Sequence, residues 1–321
     1  MLYYYGPYLR HDNPQKGRYR EFFQFGLEVL ESPKSIMDAM VIRMTHIILK
    51  EAGVKNVTIL INSIGDKECR SAYVKELVAY YKKNLSHLCA RCRQRIKENP
   101  LRLLDCKSEK CREFKKEAPE AISFLCDACK AHFKEVLEYL DTMDTPYRID
   151  NTLVRGIDYY TRTVFEIVVE EDEKEDCPVL SLASGGRYDN LATQLGSKRA
   201  VPGMGVGIGV DRVINAPGFK PISPRIIKNP KIYFIQLGFE AKLKSFAVIE
   251  VLRKAKIPIS HALSKDKLSV QLAIAEKREI PFVIIMGQKE ANENAVIVRN
   301  METRSQQTVS ISELAEYLKK K

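Results

Sequence analysis

LYYYGPYLRHDNPQKGRYREFFQFGLEVL, residues 2–30, sets two strand-like runs around a polar turn. Residues 21–30 alternate, with Phe23, Phe25, Leu27 and Val29 on one face and Gln24, Gly26 and Glu28 on the other. A strand built this way buries its aromatic face. Its opposite face lines a cavity with an amide, a bare backbone and a carboxylate. Residues 2–11 also read as a strand, and DNPQKGRY between the two runs has turn composition. The stretch therefore predicts an antiparallel hairpin, with Arg10 near the end of one strand and Arg18 and Arg20 around the loop. The alternative is a solvated hairpin with ordinary surface ion pairs, which a polar inward face beside bulky apolar residues disfavours.

Two later stretches share this style. In LVRGIDYYTRTVFEIVVE, residues 153–170, a strand-like TVFEIVV follows an arginine, an aspartate and two tyrosines. Arg155 keeps its charge and offers a rigid fork suited to phosphate or carboxylate, while the tyrosines offer flat walls with polar tips. By itself the segment is equally a hairpin with a tyrosine corner. In PGMGVGIGVDRV, residues 202–213, Gly203, Gly205, Gly207 and Gly209 recur at period two, so one strand face carries no side chains. A flat ligand can lie against such a face. VDRV then starts a helix, which sets Arg212 near a helix N-terminus, where anions are favoured. Neither a Walker loop nor the dinucleotide fingerprint is present.

The rest of the chain divides around these stretches. Residues 1–61 and 148–217 are strand-rich and punctuated by glycine, whereas 62–147 is helical in period, basic and cysteine-rich. Between Lys82 and Lys116, twelve Lys or Arg face four acids, a surplus of +8 within an overall net charge of +11. A local surplus of this kind attracts polyanions through counterion release, although a solvated helical face has the same composition. The proline-rich stretch 218–228 reads as a linker. From 229 to 321, strands alternate with helices, which predicts a parallel sheet covered on both faces.

With 45% hydrophobic and 29% charged residues, the composition is that of a soluble globular protein. No run approaches eighteen apolar residues, and the first ten residues lack the layout of a secretory signal. These features predict a cytoplasmic protein with no membrane association. Six of the eight cysteines fall between 89 and 129. In a reducing compartment the CARC pair (Cys89, Cys92) and the CDAC pair (Cys126, Cys129) suggest a tetrahedral Zn²⁺ site rather than disulfides. Cys106, Cys111 and His132 are possible substitutes among the ligands, and reduced, metal-free thiols are the alternative. Cys69 and Cys177 read as structural.

In this order the motifs are specific. LRHDNPQKGRYREFFQFGLE resembles motif 2 of the class II aminoacyl-tRNA synthetases in its histidyl form. LVRGIDYYTRTVFE resembles the histidine-binding signature of the histidyl-tRNA synthetase family, and GMGVGIGVDR resembles class II motif 3. The resemblance covers essentially the whole chain. It implies an α+β fold: an antiparallel-sheet class II catalytic core with a helical insertion, plus a C-terminal α/β anticodon-binding domain.

It also implies a histidine–tRNA ligase using ATP, Mg²⁺, L-histidine and tRNA-His, dimeric like the rest of the family. Arg10 and Asp12 would bind ATP, with Arg10 on the α-phosphate. Arg18 and Arg212 would approach the β- and γ-phosphates, and Gly205 and Gly207 would lie near the adenosine and the amino acid. Gln24, Glu28, Tyr159, Tyr160 and Tyr188 (in GGRYDNL) would bind histidine, and Arg155 would be catalytic at the α-phosphate. Asp12 and Asn13 depart from the usual Glu and Arg of motif 2. Motif 1 and a Thr-Pro-Glu loop have no counterpart, so the expectation is an N-terminally truncated form in which Met1 is an internal methionine. Two competing readings are a truncated, non-catalytic tRNA-binding form and a paralogue like the regulatory subunit of ATP phosphoribosyltransferase. Arg155 and the 229–321 segment both count against the paralogue.

Overall fold

The computed structural model describes the chain except for residues 12, 13, 15, 16, 107, 155–158, 170–179, 222–229 and 321. Arg155, Asp12 and Cys177 therefore lie outside the described residues. Two compact units are present, Met1–Leu137 with Pro146–Ile222 and Glu138–Thr145 with Ser223–Lys321.

The first unit begins with the hairpin β1 (Leu2–Leu9) and β2 (Glu21–Leu30), paired antiparallel with Tyr4 opposite Gly26 and Leu2 opposite Glu28. Helix α1 (Ser35–Glu51) leads to β3 (Val57–Ser63). The helical stretch then comprises α2 (Lys67–Lys83), α3 (Ala90–Glu98), α4 (Glu109–Lys116) and α5 (Asp127–Thr142), with short 3-10 turns between them. The chain returns through β4 (Tyr147–Ile149), β5 (Thr161–Val169), β6 (Leu180–Arg187), the single turn α6 (Leu191–Gln194), β7 (Gly203–Gly209) and α7 (Val210–Ile214). Seven strands form one sheet in the order β1-β2-β7-β6-β5-β3-β4. Every pairing is antiparallel except β3 with β4.

Strand alternation gives the sheet two buried faces. Helix α1 packs against β2, β5, β6 and β7. Its first two turns are buried all round, as the run SIMDAMVI requires. On the other face Val164 and Val168 of β5 join Leu60, Tyr73, Leu77 and Tyr81 in a core that continues to Leu101, Leu103 and Cys111. The aromatic face expected of β2 is buried only at Leu27 and Val29. Phe23 is 37% exposed and stacks on Tyr5, while Phe25 meets Tyr3. The reason is position: β1 is the edge strand of the sheet, so among the described residues the aromatic face at the loop end of the hairpin is covered chiefly by its own cross-strand aromatic pairs.

His46, on α1, is 7% exposed, and its Nδ1 has no hydrogen-bond partner among the described residues. Burial, with the charges of Arg43 and Lys50, pushes its pKa down to about 4. The folded state therefore keeps His46 neutral, while the unfolded chain takes up a proton near pH 6.5. The associated stability is complete above about pH 6.5 and is lost as pH falls toward about 4. His46→Gln is expected to narrow the gap between urea midpoints at pH 7 and pH 5. An unchanged gap would refute this role.

The second unit carries β8 (Ile232–Gln236), α8 (Phe239–Lys254), β9 (Ile259–His261), α9 (Leu268–Lys277), β10 (Phe282–Met286), α10 (Gln288–Asn292), β11 (Ala295–Asn300), β12 (Gln306–Ser310) and α11 (Leu314–Lys319). The sheet order is β12-β11-β10-β8-β9. Strands β8, β9 and β10 are parallel, but β11 and β12 add antiparallel. The expected all-parallel sheet is therefore mixed. The links β10–β11 and β11–β12 are too short for the crossover that a parallel neighbour needs. Both faces are covered, with α8 over Phe234 and Ile284 and α9 over Tyr233 and Val283.

Candidate active site

The glycines of β7 explain how the site is built. A Cβ on Gly205 would sit 1.7 Å from Glu28 Oε2, one on Gly207 2.8 Å from the Gln24 amide, and one on Gly203 2.2 Å from the Tyr188 ring. The bare face expected to receive a ligand directly is thus occupied by side chains from the neighbouring strands. Glycine at these positions lets Gln24, Glu28 and Tyr188 lie flat over the sheet. Gly186 does the same for Tyr160, whose ring is 2.8 Å from the place of a Cβ.

These side chains form a connected polar floor. Tyr188 donates its hydroxyl to Glu28 Oε2, Tyr4 donates to Glu28 Oε1 at 3.4 Å, and the Gln24 amide donates to Tyr4 Oη at 3.1 Å. Burial pushes the Glu28 carboxyl above its usual range, and the hydrogen bonds from Tyr188 and Tyr4 only partly offset it. Burial and the neighbouring Glu28 charge push Tyr4 up to about 12. Tyr188 is also raised, by burial first and then by its bond to Glu28. Tyr159 meets the Tyr188 ring edge-on at 6.1 Å and lies 5.0 Å from Tyr160. The structure therefore brings Gln24 and Glu28 together on one floor and sets Tyr159, Tyr160 and Tyr188 beside one another. It adds Tyr4, which the sequence reading left out. The signal was available: in the hairpin register Tyr4 falls opposite Gly26, where it shares the face of Gln24 and Glu28.

The cationic end lies toward the hairpin loop, about 20 Å along β2 from Glu28 at strand spacing. Arg10 sits 3.6 Å over the Phe22 ring, and its backbone N–H donates to Arg20 O at 2.8 Å. Arg18 is exposed. Arg212, half-buried in the one-turn helix α7, donates to the carbonyls of Gly17 and Ser181 at 2.7 and 2.5 Å. It thus braces the turn that follows β1. Asp211 accepts the Phe23 N–H at 2.7 Å and closes the same corner. The arrangement suits a ligand with N–H donors at one end and anionic groups at the other.

Behind the floor lies a network the sequence reading missed. Arg187 ends β6 and Tyr188 follows it directly, so the two point to opposite faces of the sheet. Arg187 is fully buried and its Nε donates to both oxygens of Asp38, at 3.0 and 3.2 Å. It also bonds the carbonyl of Ser32 at 3.0 Å and Asp189 at 2.9 Å. His132 of α5 reaches Asp38 Oδ2 at 2.8 Å. Burial alone would raise the Asp38 carboxyl, but the Arg187 guanidinium and His132 outweigh it and hold it below the usual carboxylate range. His132, a possible zinc ligand from sequence, is thus committed to Asp38.

The cysteines group differently from the expected four-cysteine set. Cys89 and Cys92 come together with Cys106 and Cys111, whereas Cys126 and Cys129 come together with Cys69 and Asp66. The CARC and CDAC pairs do not share a site. The sequence separation of the pairs gave no hint of this, because the partners come from elements that only the fold brings close.

Comparisons with known proteins agree with this geometry. A family model described as Histidyl-tRNA synthetase matches residues 1–213, and one described as Anticodon binding domain matches residues 231–321. The chain is 40% identical over 318 residues, 99% of its own length and 75% of the relative's, to a histidine–tRNA ligase of Desulforamulus reducens. It is likewise 40% identical over 320 residues, covering 100% of this chain and 75% of the relative, to a histidine–tRNA ligase of Caldicellulosiruptor bescii. Among solved structures it resembles apo S. aureus histidyl-tRNA synthetase at 30% identity and a TM-score of 0.54, covering 98% of this chain and 76% of that one. With its polar floor, tyrosine wall and glycine strand in place, the chain belongs to the histidyl-tRNA synthetase family.

Proposed function

We propose that this chain is a histidine–tRNA ligase, which activates L-histidine with ATP and transfers it to tRNA-His. The observation that carries the reading is the floor of Gln24, Glu28, Tyr4 and Tyr188 over the glycine strand. A half-buried carboxylate with a raised pKa still lacks part of the stabilisation it had in water. An imidazole N–H supplies it, and Tyr159, Tyr160 and Tyr188 wall the ring. A site that hydrogen-bonds the side-chain N–H of its substrate rejects amino acids whose side chains lack one.

A histidine carboxylate oxygen attacks the α-phosphorus of ATP. The bond to pyrophosphate breaks and histidyl-adenylate forms. The terminal ribose hydroxyl of the tRNA then attacks the acyl carbon, and AMP leaves. Arg10 and Arg155 neutralise the α-phosphate, Arg18 and Arg212 the outer phosphates, and Asp12 takes part in binding ATP. Gly205 and Gly207 let Glu28 and Gln24 lie flat against the sheet beneath the ligand. The protein's part is positioning and charge compensation. Mg²⁺ is a hard cation that takes oxygen ligands, and the two metal-competent clusters among the described residues are thiol-rich. Mg²⁺ would therefore enter on the phosphates of ATP, where it screens their charge.

In this reading residues 1–61 and 148–217 form the catalytic core, and 229–321 bind the anticodon beyond the linker 218–228. The basic insertion 62–147 touches the acceptor arm, and the working form is a cytoplasmic homodimer. No helix among the described residues is long and apolar enough to cross a membrane. Exchange of pyrophosphate into ATP tests the activity. It is expected to require L-histidine and to disappear in Arg155→Ala.

A further inference from the structure

We propose that residues 62–147 hold two separate structural Zn²⁺ ions, one on Cys89, Cys92, Cys106 and Cys111 and one on Asp66, Cys69, Cys126 and Cys129. Within each set all four ligand atoms lie within 4.8 Å of one another. A tetrahedral Zn²⁺ with bonds of about 2.3 Å to sulfur spaces its sulfurs about 3.8 Å apart. Cys89 and Cys106 Sγ are 3.8 Å apart. That spacing suits one ion and leaves no room for an iron–sulfur cluster.

The first set is assembled from short elements. Cys89 caps α3 and Cys92 lies in its first turn. Cys106 follows the 3-10 turn Pro100–Leu103, and Cys111 lies in the first turn of α4. Cys92 and Cys111 are 1% and 2% exposed, and Cys111 Sγ accepts the Cys89 N–H at 3.4 Å. With helices of nine and eight residues, this region has little regular structure to hold it together, which is where a metal contributes folding energy directly. Four thiolates around Zn²⁺ carry two net negative charges. The +8 surplus of residues 82–116 supplies the compensating cations.

The second set closes the base of the insertion. Asp66 caps α2, and its Oδ1 accepts the N–H groups of Glu68 and Cys69 at 3.0 and 3.1 Å. Its Oδ2 is thereby turned toward the thiols of Cys129 and Cys126, at 3.4 and 3.7 Å. Cys69 lies in the first turn of α2, Cys126 just before α5 and Cys129 in its first turn, so one ion would tie the departing helix to the returning one. Cys69 Sγ already accepts the Cys126 N–H at 3.1 Å. Gly65 turns into the site at φ +66°, and a Cβ there would meet Cys69 Cβ at 2.4 Å. The same residue's carbonyl accepts the Arg162 N–H at 2.7 Å, and Ile64 N–H donates to Arg162 O at 2.9 Å. The second ion thus anchors the strand start that follows Tyr159 and Tyr160.

Metal analysis of the full chain, purified without chelator, reads this without any activity measurement. The expected content is two zinc ions per chain. Cys106→Ser with Cys111→Ser should leave one, and Cys69→Ser with Asp66→Asn should leave the other. In the unaltered chain, alkylation under native conditions should spare these seven cysteines until a chelator is added, which keeps the test decisive if a variant fails to fold. One ion per chain, lost in both variants, would overturn the proposal in favour of a single shared site. No zinc, with the cysteines open to alkylation, would overturn it outright.

Discussion

Arg187→Leu is expected to cost the first unit about 3–5 kcal/mol of folding free energy, because it strands a buried carboxylate. Asp38 is fully buried between α1, β6 and α5, and Arg187 meets it with several hydrogen bonds while also tying the carbonyls of Ser32 and Lys34. Total stabilities run about 5–15 kcal/mol, so the variant should approach the limit of folding. In the native chain the Asp38 pKa is depressed. Its stabilisation is present above the ordinary carboxylate range and is lost as pH falls through the folded-state value. Adding Asp38→Leu to Arg187→Leu removes the stranded charge and should recover part of the loss, so the two effects should be strongly non-additive. Urea denaturation followed by circular dichroism measures both. A cost below about 1 kcal/mol, or simple additivity, would contradict the account.

Gly205→Ala is expected to leave the fold in place while lowering kcat/KM for histidine about 10–100-fold, the loss of a charged hydrogen bond. The added Cβ overlaps Glu28 Oε2 at 1.7 Å, so the carboxylate must leave its bonds to Tyr188 and Tyr4. KM for ATP should hold. Gly6→Ala is the matched control on the same sheet, since a Cβ there meets nothing within 4 Å. Equal losses for histidine and ATP in Gly205→Ala, or comparable losses in both variants, would show that the glycine serves the sheet rather than the site.

Local signals in the sequence reach only part of this arrangement. Strand periodicity placed Gln24 and Glu28 on one face, and the period-two glycines marked the strand beside them, because both signals are local and geometric. The same periodicity overstated the burial of Phe23, since alternation reports which residues share a face but not whether anything covers it. The role of Arg187 beside Tyr188 is not legible locally, because its partner Asp38 lies 149 positions away in sequence, and His132, the other partner of Asp38, 94 positions from it. The cysteine pairing failed for the same reason. C-x-x-C spacing fixes which two thiols sit on one turn, and only the fold, which sets the first turn of α2 beside that of α5 and the first turn of α3 beside that of α4, decides which turns meet. The strand alternation of the second unit was readable, but the direction of β11 and β12 depended on loop lengths that the pattern alone did not weigh.

The central claim is that the floor of Gln24, Glu28, Tyr4 and Tyr188 selects histidine for activation by ATP. Amino-acid-dependent exchange of radiolabelled pyrophosphate into ATP tests it most directly, with the twenty amino acids offered one at a time. The predicted result is exchange with L-histidine alone, abolished in Arg155→Ala. Exchange supported equally by other amino acids, or histidine-dependent exchange that survives intact in Arg155→Ala, would contradict it.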